Sequence, residues 1–345
     1  MTTEEARAEA ELPVRGLHLN LGDAGHPGHG DVTALTRFIG DVLPAEGVNL
    51  LVAEIGYNYA YRSYPDVARD RALSAEDLSR IAEACGRAGI ELVPQINCLG
   101  HQSWHGRSHG LLRAFPEFDE TPWIPQDADS EVLYCRSYCP RHPRVHEVVF
   151  ALIDELAEAA GARRFHVGMD EVFLIGEEGC PRCAGSDPAR LFADEAIALH
   201  EHLAERGLEM WMWGDRLIEA DQFGTGKWEG STNGTWPAVD ELPTDIVICD
   251  WHYERACATP RYFAEKGFGV VASPWRKTEV ALEQLRMMRR LRQEADSARG
   301  MLQITWCGDG RFVRAYHGQM EEDAGAAPAE AAECFRTLFA ALRAA

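Results

Sequence analysis

Two acidic residues stand next to each other where a short apolar segment of the chain ends. The segment 163–167 predicts a buried strand, and Asp170 and Glu171 follow it almost at once. Neighbouring carboxylates repel each other, and each raises the proton affinity of the other. Such a pair suits acid–base catalysis, in which one carboxyl stays protonated while its neighbour stays ionised. A solvated pair of acids at an ordinary turn is the alternative interpretation.

The elements that must position this pair alternate between strands and helices. Apolar segments of five or six residues, rich in Val, Ile, Leu or Trp, predict strands. They span residues 14–19, 49–54, 90–95, 164–168, 209–213, 245–250, 269–273 and 301–306. Continuous apolar strands that alternate with helices are typical of a buried parallel sheet.

The helices are recognised by capping residues and by apolar residues at helical spacing. Ser74 is placed to cap a helix that Gly89 ends, and further helices are predicted over 145–156, 187–207, from 278 onward and over 328–345. Eight strand–helix repeats predict one (β/α)8 TIM barrel. We expect an N-terminal tail over residues 1–12 and a catalytic barrel with a C-terminal helix over 13–345. A doubly wound sheet is the alternative, but no Gly-rich phosphate-binding turn supports it.

Polar and aromatic residues follow the predicted strands. In a (β/α)8 barrel the active site lies at the carboxyl ends of the strands, so these residues are candidates for one pocket. Tryptophan is unexpected in a barrel core, its rings stack on the C–H faces of sugars, and carboxylates and histidine bind hydroxyl groups. A carbohydrate pocket is therefore favoured over core packing. The candidate binding residues are Glu54, His101, Trp213, Asp215, Trp251, Tyr253, Trp275 and Trp306.

Two histidines and an asparagine accompany the candidate pocket. His101 follows a strand at a Gly turn, where it is placed to bond Glu171 and tune its proton affinity, or to join a loop hydrogen-bond network. His166 lies inside a predicted strand, so we expect it behind the site with its ring bonded to a backbone carbonyl. Asn97 is also expected behind the site.

A metal-dependent barrel hydrolase or isomerase is an alternative function. Its ligands would be His18, His166, Asp170 and Asp215. Barrels of that kind often hold a metal with two histidines one residue apart on the first strand. The first strand here has a single histidine, and no His-x-His sequence follows any predicted strand. We therefore expect no metal at the active site.

The charge of the chain argues against some classes of partner. Its 345 residues include 55 acidic and 34 basic side chains, for a formal net charge of −21. Proteins that bind phosphate backbones need the opposite balance, so neither nucleic acid nor an anionic membrane surface is an expected partner. The sequence contains no apolar run of about 18 residues, so no membrane span is predicted. The polar, acidic N-terminus does not resemble a signal peptide, so a cytoplasmic location is expected.

Ten cysteines are many for a chain of this length. Cys180 and Cys183 have the spacing of metal-binding or redox pairs, and Cys135 and Cys139 nearly have it. Two such pairs in neighbouring loops predict a structural zinc site with four cysteine ligands. A disulfide and free thiols are the alternatives.

Two features are left open by the sequence. The long Gly-rich segment 219–244, which contains Trp228 and Trp236, is a lid, a subunit contact or a plain loop. The oligomeric state is undetermined, with a homodimer as one alternative.

The motif around the carboxylate pair resembles that of a known family. The sequence from His166 to Val172 resembles the His-x-Gly-Gly-Asp-Glu signature of family 20 glycoside hydrolases, the β-N-acetylhexosaminidases. Segments 49–54, 61–65, 93–101 and 213–215 resemble parts of the hexosaminidase D-like branch of that family. The resemblance extends over roughly residues 14–310.

The resemblance implies an exo-acting enzyme that removes terminal β-linked GlcNAc or GalNAc from small glycosides. Hydrolysis in this family is retaining and substrate-assisted. Glu171 would protonate the leaving oxygen and then deprotonate water, while Asp170 would hold the 2-acetamido group of the substrate. Apart from the zinc alternative, no cofactor is implied.

The chain departs from the family pattern at several positions. Met169 replaces a glycine of the signature, and Asn97 stands where many members have aspartate. The arginine that larger members place after the first strand has no clear counterpart, and Tyr253 is the candidate for the tyrosine that bonds the acetamido carbonyl. A barrel that binds an amino sugar without cleaving it is therefore kept as an alternative.

Overall fold

Eight parallel strands close into a barrel in which each strand lies beside its neighbours in sequence and the first lies beside the last. The computed structural model describes residues 11–21, 31–319 and 325–344, so residues 1–10 of the predicted tail lie outside the described residues. The strands are β1 (Val14–Asn20), β2 (Leu50–Glu54), β3 (Glu91–Cys98), β4 (Arg164–Gly168), β5 (Glu209–Trp213), β6 (Val247–Trp251), β7 (Gly269–Ser273) and β8 (Ala298–Ile304). Every predicted strand is present, with its ends shifted by at most three residues. The (β/α)8 prediction is confirmed.

Helices follow the strands and pack around the barrel. They are α1 (Val32–Arg37), α2 (Ala75–Arg87), α3 (Gly110–Ala114), α4 (Val145–Ala160), α5 (Pro188–Ala204), α6 (Ala220–Phe223), α7 (Gly226–Glu229), α8 (Thr259–Glu265), α9 (Thr278–Glu294), α10 (Asp309–Tyr316) and α11 (Ala327–Arg343). Helix α1 continues as a π-helix over Phe38–Val42, and 3-10 turns occupy Pro65–Val67, Pro116–Phe118, Asp215–Leu217 and Trp236–Asp240. A short antiparallel pair joins Ser103–Trp104 to Arg107–Ser108. No described helix combines the length and apolar character that a membrane crossing requires.

Helix α2 illustrates why the sequence forms these elements where it does. The Ser74 hydroxyl accepts the Asp77 backbone N–H at 3.1 Å, and the Asp77 carboxylate accepts the Ser74 N–H at 3.1 Å. This reciprocal cap satisfies two N–H groups that the first turn leaves unpaired. Gly89 follows the helix with φ of 68°, a conformation that glycine adopts without strain. The predicted start and end of the helix are both confirmed.

Alternate residues along most of the strands belong to two separate apolar clusters, as the pleat of a strand requires. One cluster fills the barrel interior, and the other lies between strands and helices. On β5, Trp211 and Trp213 point to the interior, whereas Met210 and Met212 pack under the helices. The two tryptophans are the largest fully buried side chains of the described residues. Bulky rings therefore do fill part of this barrel core, contrary to the expectation for tryptophan at a strand end.

Candidate active site

A cavity of about 640 Å³ opens at the carboxyl ends of the barrel strands. Volumes of about 300–1,000 Å³ are typical of small-molecule sites. It is lined by Asn20, Glu54, Ile55, Gly56, Tyr57, Arg69, Asn97, His101, Ser103, Trp104, His109, Tyr134, Asp170, Glu171, Trp228, Glu229, Trp251, Tyr253, Glu254, Trp275 and Trp306. The two predicted catalytic carboxylates and most of the predicted binding residues thus border one space. Trp213 and Asp215 do not.

Asp170 and Glu171 follow β4 in a turn of unusual backbone geometry. Successive side chains of a strand point to opposite faces, yet both carboxylates line the same cavity. The chain leaves the strand conformation to achieve this, with φ of 70° at Gly168, 68° at Met169 and 50° at Glu171. Non-glycine residues rarely adopt such angles, and strained backbone of this kind concentrates at functional sites. A side chain at Gly168 is excluded as well, because its Cβ would lie 2.4 Å from Asn97 Oδ1.

The His101 imidazole lies between the two carboxylates. Its Nε2 is 3.0 Å from Asp170 Oδ2 and 3.2 Å from Glu171 Oε2. Burial by itself lowers the pKa of His101, but the charge of Asp170 and the close contacts with both acids outweigh burial and hold the pKa well above its usual value. A protonated His101 therefore supplies positive charge where two carboxylates approach each other. The sequence anticipated the contact with Glu171 but not the contact with Asp170.

Asp215 supports this turn from below. Its Oδ2 accepts the backbone N–H of Glu171 at 2.9 Å and Arg216 Nε at 2.7 Å, and its Oδ1 accepts Trp251 Nε1 at 3.2 Å. Burial raises the pKa of Asp215 to about 6, while Arg216 opposes that shift and the charge of Asp170 adds to it. The sequence left Asp215 as a candidate for a substrate contact or for support, and its carboxylate, which already binds three donors and does not line the cavity, has the supporting position.

Glu54 lines the cavity at the end of β2 and is held by two amides. Asn20 Nδ2 donates to one carboxylate oxygen at 2.7 Å, and Asn97 Nδ2 donates to the other at 3.0 Å. His18 Nε2 lies 3.4 Å from the same carboxylate and 3.2 Å from Gln95 Oε1. Asn97 borders the cavity itself, which corrects its expected place behind the site. The reason is its position on β3, whose interior-facing residues end at the cavity.

His166 and Trp213 are buried beneath the cavity with ring centroids 4.5 Å apart. Trp213 was expected in the pocket wall, but β5 directs its ring into the barrel interior, where it also packs on His18 at 5.5 Å. The expected carbonyl contact of His166 is wrong, because the Gly168 N–H donates to His166 Nδ1 at 3.1 Å and Nε2 has no hydrogen-bond partner among the described residues. The ring is a neutral acceptor, in agreement with burial, which holds the pKa of His166 well below its usual value.

Four aromatic side chains at the ends of the last three strands, or just after them, form one wall of the cavity. Trp251 stacks on Tyr253 with centroids 4.9 Å apart, and Tyr253 meets Trp275 edge to face at 5.4 Å. Trp306 Nε1 donates to the Tyr253 hydroxyl oxygen at 2.7 Å, so the hydroxyl hydrogen remains for another acceptor. Burial raises the pKa of Tyr253 well above its usual value, and the phenol keeps this hydrogen at neutral pH.

A second group of aromatic residues on the cavity comes from long loops, and sequence reasoning assigned none of them to the site. Trp104 and Tyr134 belong to the loop after β3, and Trp228 belongs to the loop after β5. Trp104 and Trp228 are 47% and 41% exposed, and Tyr134 packs edge-on against Trp228 at 4.9 Å. Other lining residues that the sequence did not single out are Arg69, His109 and Glu229. Loops lack the periodicity that marks strands, so aromatic residues in polar segments were the one available signal.

The segment 219–244 contributes to the cavity wall. Fully buried Arg216 donates through Nη2 to the backbone carbonyls of Lys227, Trp228 and Gly230 at 2.7–2.9 Å. The carboxylate of Glu229, which lies between Trp228 and Gly230 in the sequence, accepts the Tyr253 backbone N–H at 3.0 Å. These contacts fix residues 227–230 to Arg216 and Tyr253 beside the cavity. Trp236, the other tryptophan of the segment, does not line the cavity.

One group of potential metal ligands lies in the cavity. His101, Asp170 and Glu171 each place a ligand atom within 4.8 Å of the others. His18 and His166, which a metal-dependent enzyme was expected to use, do not belong to any such group among the described residues.

A second group, among the described residues, corrects the predicted four-cysteine zinc site. It consists of Glu120, Cys139, Cys180 and Cys183. Cys135 is not part of it, because its Sγ instead lies 3.5 Å from the backbone oxygen of Glu171. The glutamate could not be found from cysteine spacing.

Family comparisons agree with this geometry. The family model described as "Glycosyl hydrolase family 20, catalytic domain" matches residues 52–296. The chain belongs to glycosyl hydrolase family 20. Hexosaminidase D of Bos taurus is 27% identical over 201 residues, which are 54% of this chain and 54% of that protein. A β-hexosaminidase of Akkermansia muciniphila is 25% identical over 121 residues, which are 35% of this chain and 23% of that protein. This family 20 chain therefore spans about half the length, or less, of these curated relatives.

Solved structures share the fold of this family 20 chain. A chitobiase of Flavobacterium johnsoniae superposes with a TM-score of 0.65 at 17% identity, covering 96% of this chain and 51% of that one. A mutant Streptomyces plicatus β-hexosaminidase in complex with its product GlcNAc gives 0.61 at 16% identity, covering 94% and 63%. The likeness at these identities concerns the fold.

Gly100 allows the turn that carries His101 to approach Asp170, since an added Cβ would lie 2.7 Å from the Asp170 backbone oxygen. We expect Gly100→Ala to lower the free energy of unfolding by about 1–3 kcal/mol, because the packed backbone must shift. Urea unfolding followed by tryptophan fluorescence measures this change. Gly86→Ala is the matched control, since nothing lies within 4 Å of a Cβ there. It should not destabilise the protein. Equal stability of Gly100→Ala and wild type would argue against the close approach.

The environment of His101 predicts a pH dependence. Its folded-state pKa is raised, so NMR titration, with the signal assigned by His101→Asn, should give a pKa above the unfolded value of about 6.5. A raised pKa contributes stability that is fully present below the unfolded pKa and is lost as pH rises through the folded pKa. The stability difference between wild type and His101→Asn should therefore shrink toward alkaline pH. A difference that grows with pH would contradict the assignment.

Proposed function

We propose that this chain is an exo-acting β-N-acetylhexosaminidase that removes terminal β-linked GlcNAc or GalNAc from small glycosides. Family membership supports a glycoside hydrolase. The observation that carries the proposal is the placement of Asp170 and Glu171 side by side on one cavity that also has an aromatic wall. Placed carboxylates on a largely apolar pocket suit a sugar ring, which presents hydroxyls at its edge and C–H groups on its faces.

Glu171 is the proposed general acid and base. In this family the 2-acetamido oxygen of the substrate attacks the anomeric carbon, so no protein nucleophile is needed. The glycosidic C–O bond breaks as Glu171 gives its proton to the leaving oxygen, and a cyclic oxazolinium-type intermediate forms. The ionised Glu171 then takes a proton from the water that attacks the anomeric carbon. Ring opening restores the acetamido group and the β-configuration.

Asp170 is the proposed partner of the acetamido group. Its Oδ1 is buried without a hydrogen-bond partner among the described residues, whereas Oδ2 lies beside His101. A buried unsatisfied acceptor costs about 1–3 kcal/mol, so an incoming amide N–H is favoured there. Negative charge on Asp170 also stabilises the positive charge that develops on the acetamido group. Tyr253, whose hydroxyl hydrogen is not used by Trp306, is the proposed donor to the acetamido oxygen.

The remaining cavity residues suggest the kind of sugar that is bound. Trp251, Trp275 and Trp306 offer ring faces, and Glu54 and Arg69 offer polar contacts to hydroxyl groups. Arg69 comes from the loop after β2, and we propose that it replaces the arginine that larger relatives carry after the first strand. The carboxylates that line the cavity outnumber this arginine, so a neutral amino sugar is favoured over a sugar acid.

A cytoplasmic location and a role in carbohydrate metabolism are part of the proposal. All ten cysteines lie within the described residues, and all are buried free thiols. Thiols persist in reducing compartments, whereas secreted proteins tend to form disulfides. The free thiols support the location.

A metal-dependent hydrolase is a second candidate, because ligand atoms of His101, Asp170 and Glu171 lie within 4.8 Å of one another. Dialysis against a chelator separates the two candidates. Activity that survives removal of all bound metal excludes the second candidate. Loss that added cation restores would select it if tryptophan fluorescence shows that the chelated protein stays folded. Elemental analysis must accompany the assay, since a cysteine-rich group lies elsewhere in the chain.

The acid–base role of Glu171 predicts a dependence on the leaving group. Glu171→Gln should lower kcat by about 100- to 10,000-fold on a phenyl N-acetyl-β-glucosaminide, because the leaving oxygen needs a proton. The loss should be smaller with a dinitrophenyl leaving group, which departs without one. Asp170→Asn should be comparably harmful with both, since it acts on the acetamido group.

Glu178→Gln is the control for these variants, as an exposed acid in the same loop, and it should retain activity. Near-normal turnover by both site variants would refute the assignment. Calorimetry with GlcNAc and GalNAc completes the test, since binding by a wild-type protein without turnover would select the non-catalytic barrel.

The substrate-assisted mechanism predicts strict selection for the 2-acetamido group. An aryl β-glucoside with a 2-hydroxyl group lacks the internal nucleophile, so kcat/KM should fall by at least about a thousandfold. Stepwise fluorination of the acetyl methyl should lower kcat progressively, because it weakens the attacking oxygen. Comparable hydrolysis of the 2-hydroxyl substrate would rule out this mechanism.

A further inference from the structure

Four side chains outside the cavity form a compact set of potential ligands. Glu120, Cys139, Cys180 and Cys183 are each 0% exposed. Their ligand atoms all lie within 4.8 Å of one another. None of the four lines the cavity. We propose that they bind one zinc ion with a structural role.

The spacing of the sulfurs is close to that of a tetrahedral thiolate site. The Sγ–Sγ distances are 3.2 Å for Cys180–Cys183, 3.4 Å for Cys139–Cys183 and 3.6 Å for Cys139–Cys180. A tetrahedral zinc with Zn–S bonds of about 2.3 Å holds its sulfurs about 3.8 Å apart. Binding therefore needs only a small outward shift of the thiols. All three pairs are far from the S–S bond length of about 2.05 Å.

The Glu120 carboxylate is a second, independent indication of a bound cation. It accepts the backbone N–H groups of Gly176 at 3.0 Å and Glu177 at 3.1 Å, and it lies 2.8 Å from Cys183 Sγ. Within the described ranges, no arginine, lysine or histidine forms an ion pair with it. A fully buried carboxylate is costly without a positive partner. A divalent ion among these ligands supplies that charge.

The local backbone suits a metal-binding turn. The sequence Cys180-Pro-Arg-Cys183 brings two sulfurs to the same side of a tight turn, in which the Ala184 N–H donates to the Cys180 oxygen at 3.1 Å. Gly185 continues the turn with φ of 70°. Four protein ligands fill a tetrahedral coordination shell, and full burial leaves no open position for substrate. The site is therefore structural.

The position of the four ligands explains what such an ion would stabilise. Glu120 and Cys139 belong to segment 99–144 after β3, whereas Cys180 and Cys183 belong to segment 169–187 after β4. The first segment carries His101 and much of one cavity wall, and the second begins with the two catalytic carboxylates. The ion would hold together two long loops that contribute adjoining parts of the same cavity, where His101 meets Asp170 and Glu171.

Metal content tests the proposal on folded protein without any substrate, so its outcome is independent of the proposed activity. Protein without an affinity tag, purified with a reductant and no chelator, should contain about one zinc per chain by elemental analysis. Cys183→Ser and Glu120→Gln should lose most of it. Cys135→Ser and Cys334→Ala, which change buried thiols outside the group, should keep it. Absence of zinc from wild type, iron in its place, or loss in Cys135→Ser but not Glu120→Gln would overturn the assignment.

Wild-type protein provides a second readout in case the ligand variants fail to fold. Exchange with Co²⁺ should produce thiolate-to-cobalt charge-transfer absorption and the intense visible bands of a tetrahedral site. Chelation should lower the unfolding midpoint by at least about 5 °C, and added zinc should restore it. A spectrum of octahedral cobalt, or an unchanged midpoint after complete metal removal, would overturn the proposal. So would a disulfide among the three cysteines in freshly purified protein, detected by mass spectrometry.

Discussion

The site depends on one geometric constraint, which is that two consecutive residues must present their carboxylates to the same cavity. Strand geometry forbids this, because successive side chains point to opposite faces. The chain therefore turns sharply after β4, with positive φ at Met169 and Glu171. Asp215 stabilises the turn by accepting the Glu171 backbone N–H. The strained turn persists because the surrounding barrel determines its position.

The second requirement is electrostatic, since acids this close repel each other in a partly dry site. His101 answers it directly, with one ring nitrogen within 3.2 Å of both side chains. Arg216 adds positive charge beneath the turn, where it forms an ion pair with Asp215. Arg216 also donates to the backbone carbonyl of Trp228. The same buried positive charge that lies beneath the carboxylates therefore holds a loop of the cavity wall in place. Charge compensation and cavity shape are thus coupled through one buried guanidinium.

The barrel strands and the loops contribute different residues to the site. Barrel strands hold Glu54 and Trp251 at fixed positions, and short turns place Tyr253 and Trp306 beside them. Long loops add Trp104 and Trp228, the exposed aromatic residues of the cavity. Rigid elements give the precision that proton transfer needs, whereas loops can vary in length and composition without disturbing the barrel. The cluster around Cys183 lies where two such loops meet.

The sequence by itself determined the barrel, the Ser74 cap of α2 and the Asp170–Glu171 pair at a strand end, whereas the predicted cap at Thr278 is wrong because Thr278 is the first residue of α9. These features follow from local pattern, namely apolar periodicity, capping residues and an acidic pair after a strand. Tertiary structure alone decided that Trp213 fills the barrel core, that Asn97 borders the cavity and that Glu120 replaces Cys135 among the cysteines. Local pattern places a residue along its own element. Which face it presents at a strand end, and which distant loop it meets, depends on how the whole chain packs.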